Sequence, residues 1–130
     1  MNVIRPCDAH EVAEAWALAI NEKHKPTVLA LSRQKVALIN RTKYASANGT
    51  KQGGYILAEA SETQPKLILV STGSEVGLAM QAREVLESEG IPTRVVSMPC
   101  TDIFDEQSAE YRESVLPNNV KTLAVEAGVS

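Results

Sequence analysis

The chain has 130 residues, 44% of them apolar, and its 13 basic and 16 acidic side chains give a net charge of −3. So much apolar surface with so little net charge does not suit a disordered chain, and the length allows one medium domain or two partial ones. The weak acidity and the lack of any Lys/Arg cluster argue against a surface that neutralises nucleic-acid phosphates or anionic lipid, which leaves a metabolite-sized partner.

Asn2 to Arg5 reads as the end of a short strand, and Asp8 with Glu11 three residues on has the spacing of a capped helix start. Val12, Trp16, Ala19 and Ile20 then recur at helical intervals and predict the buried face, with Trp16 in the core. Pro26 ends this element, and the apolar run Thr27 to Leu31 is expected as a strand covered on both faces. A right-handed crossover makes the two strands parallel.

Periodicity fades from Lys35 to Gln64, which reads as a linker with Tyr55 to Ala58 as an edge strand. After Pro65 the alternation of strand and helix restarts. Leu67 to Val70 is a strand, Ser74 is the candidate cap of a helix carrying Val76, Ala79, Met80 and Leu86 on its apolar side, and Gly90 ends that helix. Thr93 to Ser97 is the next strand. Phe104 to Val115 is expected as one helix stopped by Pro117, with Phe104 in the core, and Leu123 to Val125 as a third strand without a covering helix after it. The fold class is therefore α/β, with parallel open sheets and covering helices.

Cys7 and Cys100 stand too far apart for a short-spaced pair and are expected as buried, reduced thiols. The first residues lack the apolar core of about 7–15 residues that marks a signal peptide, and no apolar run approaches the roughly 20 residues of a membrane span. A cytoplasmic location is expected, with neither nucleic acid nor membrane as partner.

Ligands of open parallel sheets bind beyond the carboxyl ends of the strands, which directs attention to three places. Arg33 follows the strand at Thr27 to Leu31, and a guanidinium there offers a planar fork of donors to a phosphate or carboxylate. A surface arginine or an ion pair is the plainer account on spacing alone. Thr72-Gly73-Ser74-Glu75 is a tight strand-to-helix turn whose free N–H groups could cradle an anion, but it lacks the glycines of a phosphate loop and Glu75 brings the wrong charge, so a simple helix start is favoured. Glu126 follows the last strand and could be a base or an interface contact, the second being the safer reading. His10 and His24 lie too far apart for a helical metal pair and read as structural, and no nucleophile–histidine arrangement can be assembled.

At these same places the sequence resembles transketolases. The matching stretches are Val3-Ile4-Arg5-Pro6-Cys7-Asp8, Leu31-Ser32-Arg33-Gln34, Ser71 to Val76, Val95 to Pro99, Tyr111 to Pro117 and Val125-Glu126-Ala127-Gly128, in matching order and spacing over essentially the whole chain. Cys100-Thr101-Asp102 makes the bacterial form the better match. The resemblance implies that residues 1–52 are the end of a thiamine-diphosphate pyrimidine-type domain plus linker. Residues 53–130 would be an incomplete C-terminal three-layer α/β domain. It also implies a homodimeric enzyme that moves a two-carbon ketol unit between sugar phosphates, using thiamine diphosphate and a divalent metal, Mg or Ca. Of the family's site residues only Arg33 carries over, as the arginine that grips the substrate phosphate. No catalytic, metal or cofactor ligand does, so this chain alone is expected to bind no cofactor and to be inactive. Deoxyxylulose-phosphate synthase, the β subunit of a 2-oxoacid dehydrogenase, and a non-catalytic dimerisation module are the rival readings.

Overall fold

The computed structural model describes residues 1–128; Val129 and Ser130, the end of the expected second domain, lie outside the described residues. Strand β1 (Asn2–Ile4) pairs in parallel with β2 (Thr27–Leu29) through a crossover made by helix α1 (Ala9–Asn21). Asp8 caps α1: its Oδ1 accepts from the Glu11 backbone N–H at 3.0 Å, while Glu11 Oε2 reaches back to the Cys7 N–H at 2.8 Å. This is the expected reciprocal cap, with the returning carboxylate displaced by one residue.

The buried face of α1 differs from the apolar pattern. Glu11 and Ala15 are fully buried, and Leu18 packs below them, whereas Trp16 is 53% and Ile20 75% exposed. A small side chain at Ala15 lets α1 approach Ile4 and Cys100 closely, and the buried carboxylate of Glu11 turns the helix so that Trp16 points away. Strand β2 is also shorter and less covered than its apolar run suggested. Leu29 packs against Ile4, but Val28 is 45% and Leu31 52% exposed, because this sheet has two strands and α1 covers only one of its faces.

The stretch from Lys35 to Gln64 holds two short elements, and the rest of it has no regular structure. A 3₁₀ helix at Ala47–Gln52 packs on α1, and the chain then enters β3 (Tyr55–Ala58), the edge strand expected there. Gly53 joins the two at φ +79°, and a Cβ on it would lie 2.3 Å from the Phe104 backbone nitrogen. The position therefore requires glycine on grounds of both conformation and space.

The second sheet adds β4 (Leu67–Ser71), β5 (Thr93–Ser97) and β6 (Lys121–Val125) in the order β3-β5-β4-β6, with β3 antiparallel to β5 and the other pairs parallel. Helix α2 (Glu75–Ser88) covers one face, where Val76, Ala79 and Met80 meet Leu69, Val95 and Leu57. The other face packs Ile68 and Val96 against Phe104 and Val115. Alternation along β4 and β5 thus fills two cores, giving three layers.

The expected helix from Phe104 to Val115 is two helices, α3 (Thr101–Asp105) and α4 (Ala109–Val115). Ser108 starts the second by accepting from the Tyr111 N–H at 3.1 Å, a cap that competes with continuing the first helix. Phe104 and Tyr111 still meet edge to face with centroids 6.2 Å apart. Buried Arg94 on β5 donates to the Ser114 and Val115 carbonyls at the end of α4 and forks onto Glu59. Among the described residues strand β6 lies at the edge of the sheet, with Leu123 55% exposed.

Candidate functional site

The chain leaves β4 for α2 on one face of the second sheet and leaves β5 for α3 and α4 on the other, so a crevice opens at their carboxyl ends. The junction between β1 and α1 sits in it. The Arg5 N–H donates to the Pro99 carbonyl at 2.8 Å, and the Arg5 carbonyl accepts from the Gly73 N–H at 3.1 Å. What remains is a cavity of about 500 Å³ bordered by Arg5, Thr72, Asp102 and Glu126. Arg5 and Glu126 form an ion pair across its mouth at 2.6 Å, which gives Glu126 a structural partner.

At the turn from Thr72 to Glu75 and just after it, three backbone N–H groups are already engaged inside the chain. The Gly73 N–H is taken by Arg5, and the Glu75 and Val76 N–H groups bond back to Thr72 and Gly73. Ser74 precedes α2 as expected, but its hydroxyl donates to the Glu75 carboxylate and does not cap the helix.

Behind this crevice lies a buried polar network that no local pattern announced. Glu11 Oε1 accepts from the Ser97 hydroxyl and from the Tyr55 phenol, each at 2.6 Å. Arg41, in the aperiodic stretch, donates to Asp8 Oδ1 at 3.1 Å, to the Tyr55 oxygen at 2.8 Å and to the Ala45 carbonyl at 3.0 Å. Burial alone would raise the Asp8 carboxyl, but the N–H groups of Glu11 and Ile39 and the charge of Arg41 together hold it below the ordinary carboxylate value. Burial pushes the Tyr55 phenol up, and the Glu11 charge adds to it. Burial likewise raises the Cys7 thiol, followed by the charges of Glu11 and Asp8, so Cys7 is a packed, protonated side chain at neutral pH.

Arg33 stands apart from this network. It lies four residues beyond the end of β2, is exposed, and makes no hydrogen bond or ion pair among the described residues. Its guanidinium is free to meet an anion. His10 approaches Asp8 at 3.4 Å and His24 is exposed, so the histidines stay apart. Among the described residues no three His, Cys, Asp or Glu side chains are grouped to hold a metal. No helix is long and apolar enough to cross a membrane, again among the described residues.

The fold and site together define a doubly wound α/β module with an antiparallel edge strand. It is docked through buried carboxylates onto a β-α-β unit that carries a free arginine at its strand end. Residues 53–130 match the family described as the transketolase-like TK C-terminal domain, and the chain belongs to that family. The transketolase of Streptococcus pyogenes serotype M6 is 53% identical over 131 residues, covering 100% of this chain and 18% of its own length. Among solved structures, the transketolase of Leishmania mexicana superposes with a TM-score of 0.90 at 43% identity, over 99% of this chain and 18% of that one. A transketolase of Pichia stipitis, in complex with sedoheptulose 7-phosphate, superposes with a TM-score of 0.86 at 42% identity over 96% of this chain and 18% of that one. The chain thus spans about a fifth of the length of these relatives.

Proposed function

We propose that this chain is the part of a transketolase that brings Arg33 to the phosphate of a sugar-phosphate substrate. The observation that supports this reading is an exposed guanidinium, free of internal partners among the described residues, beyond the carboxyl end of a parallel strand. A planar fork of donors at that position suits a phosphate in both charge and shape. The sugar phosphate in the Pichia stipitis relative supports the same substrate class.

In the full-length enzyme the reaction is transfer of a two-carbon ketol unit from a ketose phosphate to an aldose phosphate. Thiamine diphosphate with a divalent metal, Mg or Ca, supplies the carbanion chemistry there when bound. Arg33 holds the phosphate tail and so orients the reacting carbon, a contribution that enters kcat/KM through positioning. Residues 1–52 close the pyrimidine-binding domain and its linker, and residues 53–130 form the C-terminal domain. The working enzyme is a cytoplasmic homodimer, and this chain alone does not turn over substrate. The test is whether the full-length enzyme loses its preference for phosphorylated acceptors when Arg33 is replaced by alanine. A preference equal to that of the unmodified enzyme would refute the assignment.

A further inference from the structure

We infer that Asp8 is a positioning residue for Arg33, its carboxylate tying the far end of the Arg33 segment to the same β1–α1 junction that holds the near end. This rests on the reading of Arg33 as the phosphate grip. The near end is fixed where the Ala30 N–H donates to the Ile4 carbonyl at 2.9 Å. The far end is fixed where the Ile39 N–H donates to Asp8 Oδ2 at 3.1 Å. Between these anchors, residues 31–38 have no regular structure and make no hydrogen bond among the described residues. The segment is a loop closed onto the stretch from Ile4 to Asp8, and the direction of Arg33 is inherited from how that loop is closed.

A helix cap does not require this arrangement. Capping α1 takes only Oδ1, which accepts from the Glu11 N–H, and a serine or asparagine would serve there equally well. The second oxygen accepts from a backbone N–H 31 residues away at 3.1 Å, with the half-exposed His10 ring beside it at 3.4 Å. Asp8 is a firm anchor for that purpose. It is 1% exposed, and Oδ1 is further held by Arg41, so the ionised carboxylate cannot swing with the loop. The Ile39 side chain packs against the core beside α2, which keeps the loop attached but does not set the direction of its backbone N–H. Loss of the Asp8 bond should therefore loosen the loop without unfolding the domain.

The inference is tested in the full-length enzyme with Asp8→Ser and Asp8→Asn, both of which keep a capping acceptor. The readout is the ratio of kcat/KM for ribose 5-phosphate to kcat/KM for glycolaldehyde, an unphosphorylated acceptor. A merely structural role would lower both values together and leave the ratio alone. The expected result is a ratio lowered roughly 3- to 10-fold, carried by KM for the phosphorylated substrate, since a small misplacement of a gripping group costs this much or more. Adding Asp8→Ser to Arg33→Ala should lower the ratio no further than Arg33→Ala alone, because the positioned group is already gone. If Asp8→Ser does not accumulate, Asp8→Asn carries the measurement. A normal ratio in the Asp8 variants beside a collapsed ratio in Arg33→Ala overturns the positioning role only. A normal ratio in Arg33→Ala overturns the phosphate reading and this inference with it.

Discussion

The Ser97 hydroxyl donates a 2.6 Å hydrogen bond to Oε1 of Glu11, across 86 residues of sequence, and both residues are 0% exposed. The same oxygen accepts from the Tyr55 phenol, so one buried carboxylate on α1 joins the β-α-β unit to β3 and β5 of the second sheet. Removing it strands a buried hydroxyl and a buried phenol together. Glu11→Ala should therefore destabilise the chain by about 2–4 kcal/mol in urea denaturation, and Glu11→Gln by about half as much, because a glutamine oxygen still accepts from Ser97 and Tyr55 while its NH2 cannot accept from the Cys7 N–H. A change below about 0.5 kcal/mol in Glu11→Ala would mean that the two units are held together by other contacts.

Asp8 makes stability depend on acid. Its folded-state pKa lies below the unfolded one, so its contribution is complete above the ordinary aspartate range and is lost as pH falls through the folded value. The stability difference between the parent chain and Asp8→Asn should be full at pH 7 and shrink as pH drops from about 4 toward 2. A difference that grew over that interval would reverse the sign assigned to the Arg41 and N–H contacts.

Gly53 is the hinge between the 3₁₀ helix and β3, at φ +79° and with backbone atoms of Cys100 and Phe104 inside the space of a Cβ. Gly53→Ala meets a strained conformation and a clash that only backbone movement relieves. We expect a loss of roughly 3 kcal/mol or more in thermal or urea unfolding. Gly90 shares the same φ of +79° with open space around it, so Gly90→Ala should cost about 1 kcal/mol and serves as the control for conformation without clash.

Trp16, the single tryptophan, reports directly on the turned face of α1. Its emission should be that of a largely hydrated indole and should be quenched readily by acrylamide. Blue-shifted, protected emission would show that Trp16 is covered, as the apolar pattern alone suggested.

Elements whose signals are local could be recognised from the residues. The apolar run at Leu67 to Val70, the apolar stripe of α2 and the glycine at its end, and the Asp8 cap all appear where the spacing puts them. Arg33 follows an apolar run, but spacing alone favoured a plain surface arginine there, and only the resemblance of its four-residue stretch pointed to a phosphate. What failed depended on partners far away in the chain. Glu11 counts as polar in any helical pattern, and only Ser97 and Tyr55 make its burial possible. Once Glu11 faces inward, Trp16 must face out. Arg41 lies in a stretch without periodicity, and its anchors at Asp8 and Tyr55 are contacts between different elements. The break between α3 and α4 did have a local signal in Ser108, but the apolar spacing of Phe104, Tyr111 and Val115 spans it and masks it.

The proposed recognition of phosphate by Arg33 is tested most directly by measuring kcat/KM for ribose 5-phosphate and for glycolaldehyde in the full-length enzyme with Arg33→Ala and Arg33→Lys. A hydrogen bond from a charged donor to phosphate contributes about 1.5–3 kcal/mol, so Arg33→Ala should lose roughly 10- to 150-fold on the phosphorylated substrate and far less on the other. Arg33→Lys should recover only part of the loss, because an ammonium lacks the bidentate fork. Equal losses on both substrates would contradict the account and make Arg33 a residue of folding.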